Sequence, residues 1–162
     1  MTVTEAFGDV AGLIAQMNPQ KIIELKAPKA MSERVAHLVA ERANFRCEYF
    51  RLHADDLFLS FEIDHIIAIK HGGNNDITNL AYACPHCNQH KGSDFATLLG
   101  DAKDIVLLFN PRIHHWLEHF EAINGEIVPK TQIGQASVKI FQFNQPDLLI
   151  IRQILGESGR YI

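Results

Sequence analysis

The run from Glu62 to Gly92, E-I-D-H-I-I-A-I-K-H-G-G-N-N-D-I-T-N-L-A-Y-A-C-P-H-C-N-Q-H-K-G, decides how this chain folds. Phe61, Ile63 and His65 alternate with Glu62 and Asp64, the two-residue period of a strand, and the first set is expected to face inward. His71 to Asp76, H-G-G-N-N-D, concentrates the residues that turn a backbone and reads as a loop. N-L-A-Y-A-C, ending at Cys84, is short and apolar enough for a second strand. Pro85 can open a helix inside the C-P-H-C, because its missing N–H falls where a helix has no use for one. That helix is predicted to run on through N-Q-H-K-G-S-D-F-A-T-L-L. Strand, loop, strand, helix is the order, and it makes the chain α+β.

On the N-terminal side the sequence reads as a helical collar over residues 1–45. Thr4 caps a first helix with Phe7, Val10, Ile14 and Met17 at helical spacing. Asn18 and Pro19 start a second helix, and the stretch around Pro28 links it to a third. Ser32 caps this third helix, with Val35, Leu38 and Val39 on one face. The central unit spans 46–98, and 99–162 forms a C-terminal packing extension. There, I-V-L-L-F-N-P-R predicts a strand, and a second is expected from Trp116 to Phe120. Asn124-Gly125 marks a hairpin turn before Glu126 to Val128. Thr131 onward and N-Q-P-D-L-L-I-I-R-Q-I-L predict two helices. His114, His115 and His119 are expected on a strand face rather than among ligands.

Composition narrows the partners. Hydrophobic residues are 47% and charged residues 21% of the 162, as in a folded globular domain. A formal net charge of -4 argues against a protein that coats nucleic acid electrostatically, so any contact with DNA must be local. Three cysteines do not make a secreted disulfide framework, and a reducing cytoplasm is the expected location. The first residues lack a basic n-region, and no apolar run reaches the roughly twenty residues of a membrane span. Six of the nine histidines (His37, His53, His65, His71, His86 and His90) lie between Ser32 and Lys91, together with every cysteine, which places the chemistry in that half.

Cutting a phosphodiester bond needs a base to deprotonate water, a divalent cation to neutralise developing charge, and groups that hold both. His65 suits the first task, since its ordinary pKa leaves the neutral form abundant at neutral pH. Carboxylate and amide oxygens are hard donors suited to Mg²⁺ or Mn²⁺. The ordered set D-H, N-L, C-x-x-C-N and K-G resembles the HNH endonuclease motif, in which a two-stranded hairpin and a helix clasp one metal ion, the ββα-metal fold. The resemblance runs from Cys47 to about Asp94. It implies that His65 is the general base, that Asp64 beside it is a metal ligand, and that Asn79 holds the base in orientation. Asn88 would be the second metal ligand, with His90 as its substitute in a neighbouring register. Lys91 would contact phosphate. His71 either reaches a DNA backbone or is a solvated loop histidine. The activity implied is metal-dependent hydrolysis of DNA; the alternative is an inactive zinc-knuckle or nucleic-acid-binding module on the same fold.

Family members with a structural zinc use two C-x-x-C pairs to build a closed tetrahedral site. Here the first pair reads C-E-Y-F, and Phe50 cannot bind metal. Either His53 completes a site with Cys47, Cys84 and Cys87, with His86 or water behind it, or Phe50 fills the vacated space and the thiols stay reduced and buried. The second reading is favoured, because a chain of this length can fold without a metal staple.

Overall fold

The computed structural model describes residues 32–101 and 103–162, so the helices expected from Thr4 and Asn18 and the linker at Pro28 lie outside the described residues. The described residues make a mixed α and β structure of five helices and three separate two-stranded antiparallel sheets. Helix α1 is Glu33–Arg42, and it buries Val39 and Ala40. Arg42 at its end donates to the carbonyls of Ile77 and Leu80 at 2.8 and 2.7 Å, which ties the helix to the start of the second strand.

Strands β1 (Glu62–His65) and β2 (Leu80–Ala83) pair in the register Asp64↔Ala81 and His65↔Leu80. Helix α2 (Pro85–Lys91) follows at once and packs against both strands. Cys84 caps it, its Sγ accepting from the Cys87 amide. The inward face of β1 differs from the expectation. Asp64 is buried at 4% exposure while Ile63 and His65 are only half-buried. A carboxylate can sit inside here because Tyr49 and Lys91 meet it there, and hydrophobic alternation carries no sign of such partners.

Helix α2 also stops sooner than predicted. Gly92 closes it in a positive-φ conformation, at 51°, and A-T-L-L becomes strand β3 (Ala96–Leu99). Its partner is β4 (Asp104–Leu107), in the register Leu98↔Ile105. A short apolar run carries little helical preference of its own, and pairing with the next apolar run overrides it. Trp116 to Phe120 is a second correction. Residues Trp116–His119 form a single helical turn, α3, and strand β5 (Phe120–Ile123) starts only after it. The Trp116 indole N–H donates to the Tyr49 carbonyl at 3.0 Å, which fixes the turn on the core. His114, His115 and His119 therefore flank or belong to this turn and lie on no strand face.

Asn124 and Gly125, at φ of 49° and 81°, form the expected hairpin turn into β6 (Glu126–Pro129). The last two predicted helices are present as α4 (Gln132–Phe141), capped by the Thr131 hydroxyl, and α5 (Pro146–Glu157). Residues Glu33–Ile162 form one compact unit. Its core gathers Cys47, Tyr49, Phe50 and Leu52 from the loop before β1 with Cys84 and Cys87 of α2, Phe120 of β5, and Phe141 and Phe143. No helix among the described residues is long and apolar enough to cross a membrane.

Two half-buried histidines, His86 and His114, make this fold sensitive to acid. Burial, with the neighbouring His119, holds the His114 imidazole below its usual pKa of 6.5, and its Nδ1 accepts from the Asn110 amide at 3.0 Å. The unfolded chain therefore binds the proton more readily than the folded one, so stability falls as pH drops below about 6.5. His114→Asn keeps an acceptor but no titrating ring, and it should reduce the slope of melting temperature against pH between 7 and 5. An unchanged slope in that variant would remove His114 as a source.

Candidate active site

The antiparallel pleat of β1 sends Asp64 and His65 to opposite faces. On one face the His65 ring, half-exposed, meets Asn75 Oδ1 through Nε2 at 2.8 Å. An amide oxygen can only accept, so the proton sits on Nε2 and Nδ1 keeps the lone pair. Asn79 makes no side-chain hydrogen bond to His65. Its Oδ1 accepts from the Ile67 amide at 3.0 Å, and its Nδ2 donates to the carbonyls of Ile67 and Asn74, both at 2.9 Å. The side chain thus staples both ends of the β1–β2 loop, and Asn74 hands that order to its neighbour Asn75. The two glycines of the loop have separate reasons. Gly72 sits at φ of 89°, and any Cβ on Gly73 would collide with the Ile67 carbonyl.

On the opposite face β1 looks at α2. Strand positions two apart and helix positions three apart repeat at similar distances, so two pairs form side by side. Glu62 meets the Asn88 amide nitrogen, and Asp64 meets Lys91. The outer pair is accessible: Glu62 is an exposed carboxylate, and Asn88, having used Nδ2, keeps Oδ1 unengaged. The inner pair is sealed. Lys91 Nζ, on a residue 2% exposed, lies 3.1 and 3.0 Å from the two Asp64 oxygens and 2.8 Å from the His65 carbonyl. The Tyr49 hydroxyl donates to Asp64 Oδ2 at 2.6 Å. Burial pushes the Asp64 carboxyl up, and the ammonium and phenol pull it part of the way back.

Lys91 is therefore not a surface phosphate contact, as the sequence led us to expect; its ammonium is spent inside the protein. Asp64 faces the same interior, though a carboxylate has about four lone-pair sites and these three contacts do not fill them. His90 turns along its helix, with Nδ1 on the His86 carbonyl at 2.8 Å, away from Asp64 and Asn88. His71 is exposed on the loop with its ring edge-on to Phe95 at 5.0 Å. Glu62, Asn75 and Tyr49 went unassigned in the sequence. Asn75 lay within a turn run where side-chain roles are not legible, and nothing local sets a phenol against a carboxylate fifteen residues on.

The second cluster is Cys47, Cys84 and Cys87, whose sulfurs all lie within 4.8 Å of one another and are fully buried. None is in a disulfide. Each turn presents an amide to its leading sulfur, Phe50 N to Cys47 at 3.4 Å and Cys87 N to Cys84 at 3.5 Å. Burial and contact with Cys47 push the Cys87 thiol well up, and Cys84 rises mainly through its hydrogen bond to Cys47. His53, the candidate fourth ligand of the zinc alternative, is not part of this group. Its Nδ1 accepts from the Asp55 amide at 3.2 Å. His86, the reserve ligand, donates through Nε2 to the Phe141 carbonyl, 2.7 Å away. Phe50 is fully buried against the rings of His86 and Phe143, which fits the expectation that it fills the vacated corner.

The HNH endonuclease family model matches residues 46–94, the stretch that holds the first cysteine turn, the hairpin and α2. The match covers less than half of the chain and points to nuclease-type function and a nucleic-acid substrate. No curated protein matches the chain.

Proposed function

We propose that the chain is a metal-dependent endonuclease hydrolysing phosphodiester bonds of DNA, with β1, β2 and α2 as its ββα-metal unit. The observation that carries this reading is His65, held through Nε2 with Nδ1 free, on the hairpin inside the matched segment. His65 Nδ1 takes the proton of the attacking water. Asn75 keeps the ring in one tautomer, and Asn79 acts through the loop it staples rather than on the ring. Asn88 Oδ1 and the exposed Glu62 carboxylate would hold Mg²⁺ or Mn²⁺, hard donors that suit either ion, and Asp64 would join them only where the ion takes the place of the Lys91 ammonium. When bound, a divalent cation neutralises charge that develops on the phosphate and the leaving oxygen.

Supercoiled plasmid incubated with the protein and Mg²⁺ or Mn²⁺ tests the reading. Nicked or linear products are expected, EDTA should abolish them, and Asn88→Ala should raise the metal concentration needed for half-maximal cleavage. Activity undiminished in EDTA would rule out the hard-metal mechanism. Binding of DNA with no cleavage under any divalent ion would favour a binding module instead.

A further inference from the structure

Strands β1 and β2 form a sheet of two strands only, and so small a sheet has little rigidity of its own. The Ile66 amide donates to the Asn79 carbonyl, so by the alternation of an antiparallel ladder the backbone groups of Leu80 and Tyr82 point away from β1, to the open edge of β2. Two residues occupy that edge as a third strand would. Arg42 donates through Nη1 to the Ile77 carbonyl and through Nη2 to the Leu80 carbonyl. Glu48 takes both groups of Tyr82: its amide donates to the Tyr82 carbonyl at 2.9 Å, and its Oε2 accepts from the Tyr82 amide at 2.8 Å.

Glu48 also aims the arginine. It is buried, and Arg42 Nη2 lies 3.6 Å from its Oε2, while Arg112, from the segment between β4 and α3, meets its Oε1. Helix α1, the loop before β1 and the C-terminal extension are thus joined at one edge of the hairpin. The two carbonyls that Arg42 grips lie on either side of Asn79, and Leu80 is the register partner of His65. A guanidinium offers its donors in a rigid fork, which fixes the spacing of the carbonyls it holds. Movement at Ile77 or Leu80 would pass through the Asn79 staple to Asn74 and on to Asn75, the residue that holds the His65 ring. Arg42 lies outside the segment that the family model matches.

We propose that Arg42, aimed by Glu48 and Arg112, is a positioning residue: its clamp on two carbonyls holds the loop that sets His65 against the attacking water. The effect on rate rests on the nuclease reading, whereas the clamp itself has a separate readout in the backbone amides it orders.

Arg42→Lys keeps a charge for Glu48 but cannot fork across two carbonyls. Amide hydrogen exchange on the full chain should therefore quicken at Ile66, Ile67 and Asn79 in this variant and stay as in the wild type along β5 and β6. In plasmid cleavage its kcat should fall by roughly 10- to 100-fold, the scale of a small misplacement of a reacting group, with KM for DNA and the metal requirement close to wild type. Arg42→Ala should lose at least as much, and millimolar guanidinium should restore part of its rate where methylammonium does not. Should Arg42→Ala fail to fold, the lysine variant decides. Wild-type exchange at the three amides, or a loss of protection spread over the whole molecule, would overturn the clamp even with cleavage by the wild type intact. A raised KM with unchanged kcat would make Arg42 a DNA contact and overturn the positioning role. A wild type that cuts no DNA would end the nuclease reading and the effect on rate with it, while the exchange pattern would still show whether the clamp orders the loop.

Discussion

His65→Ala is expected to lower plasmid cleavage by roughly 10²- to 10⁴-fold, the usual worth of a positioned general base, while leaving the melting temperature and DNA affinity close to wild type. The base acts on the attacking water only as the transition state forms, so its loss appears in kcat rather than in ground-state binding. The structure gives a reason to expect little change in stability. The His65 ring is half-exposed and its one side-chain partner, Asn75, is at the surface, whereas the His65 carbonyl that Lys91 holds survives the substitution. Asn75→Ala should produce a smaller fall in the same direction, because it frees the ring without removing it. Nicking at the wild-type rate by purified His65→Ala would end the assignment of His65 as base.

Much of this architecture was legible because it follows from local rules. Turn formers bounded the hairpin, Pro85 opened α2, Asn124-Gly125 closed the β5–β6 turn, and Thr131 capped α4, each through a backbone preference carried by the residue itself. What escaped depends on partners distant in sequence. The face of β1 was misassigned because Asp64 is paid for by Tyr49 and Lys91, fifteen residues before it and twenty-seven after. The turn at Trp116 exists because its indole reaches back sixty-seven residues to the Tyr49 carbonyl. Strand β3 needed β4 to declare itself. The site was legible in its order but not in its orientation: the motif named His65, Asn79 and Asn88, while which of their atoms are free is set by Asn75, the loop carbonyls and Glu62.

Lys91 is where the two readings part most sharply. A lysine that contacts phosphate could be changed to methionine with no loss of stability and a clear loss of DNA binding. The structure leads to the reverse. Lys91→Met keeps the aliphatic stem in place but leaves Asp64, 4% exposed, with the Tyr49 hydroxyl as its remaining side-chain donor. Removing one partner of a buried ion pair typically costs about 3–5 kcal/mol, because the other charge stays behind without compensation. The ammonium also releases the His65 carbonyl, so the end of β1 should loosen and cleavage should fall through positioning rather than through lost contact with DNA. The pH dependence carries a sign. Burial already pushes the Asp64 carboxyl up, and without Lys91 it rises further. The penalty in Lys91→Met is therefore full at neutral pH and shrinks as pH falls through that raised value, where the folded state takes up the proton first. The double variant Asp64→Asn/Lys91→Met removes both charges and should recover part of the lost stability. Thermal unfolding of the single and double variants at pH 7 and pH 5 measures all of this. A Lys91→Met protein that melts like the wild type, yet binds DNA more weakly, would return Lys91 to the phosphate.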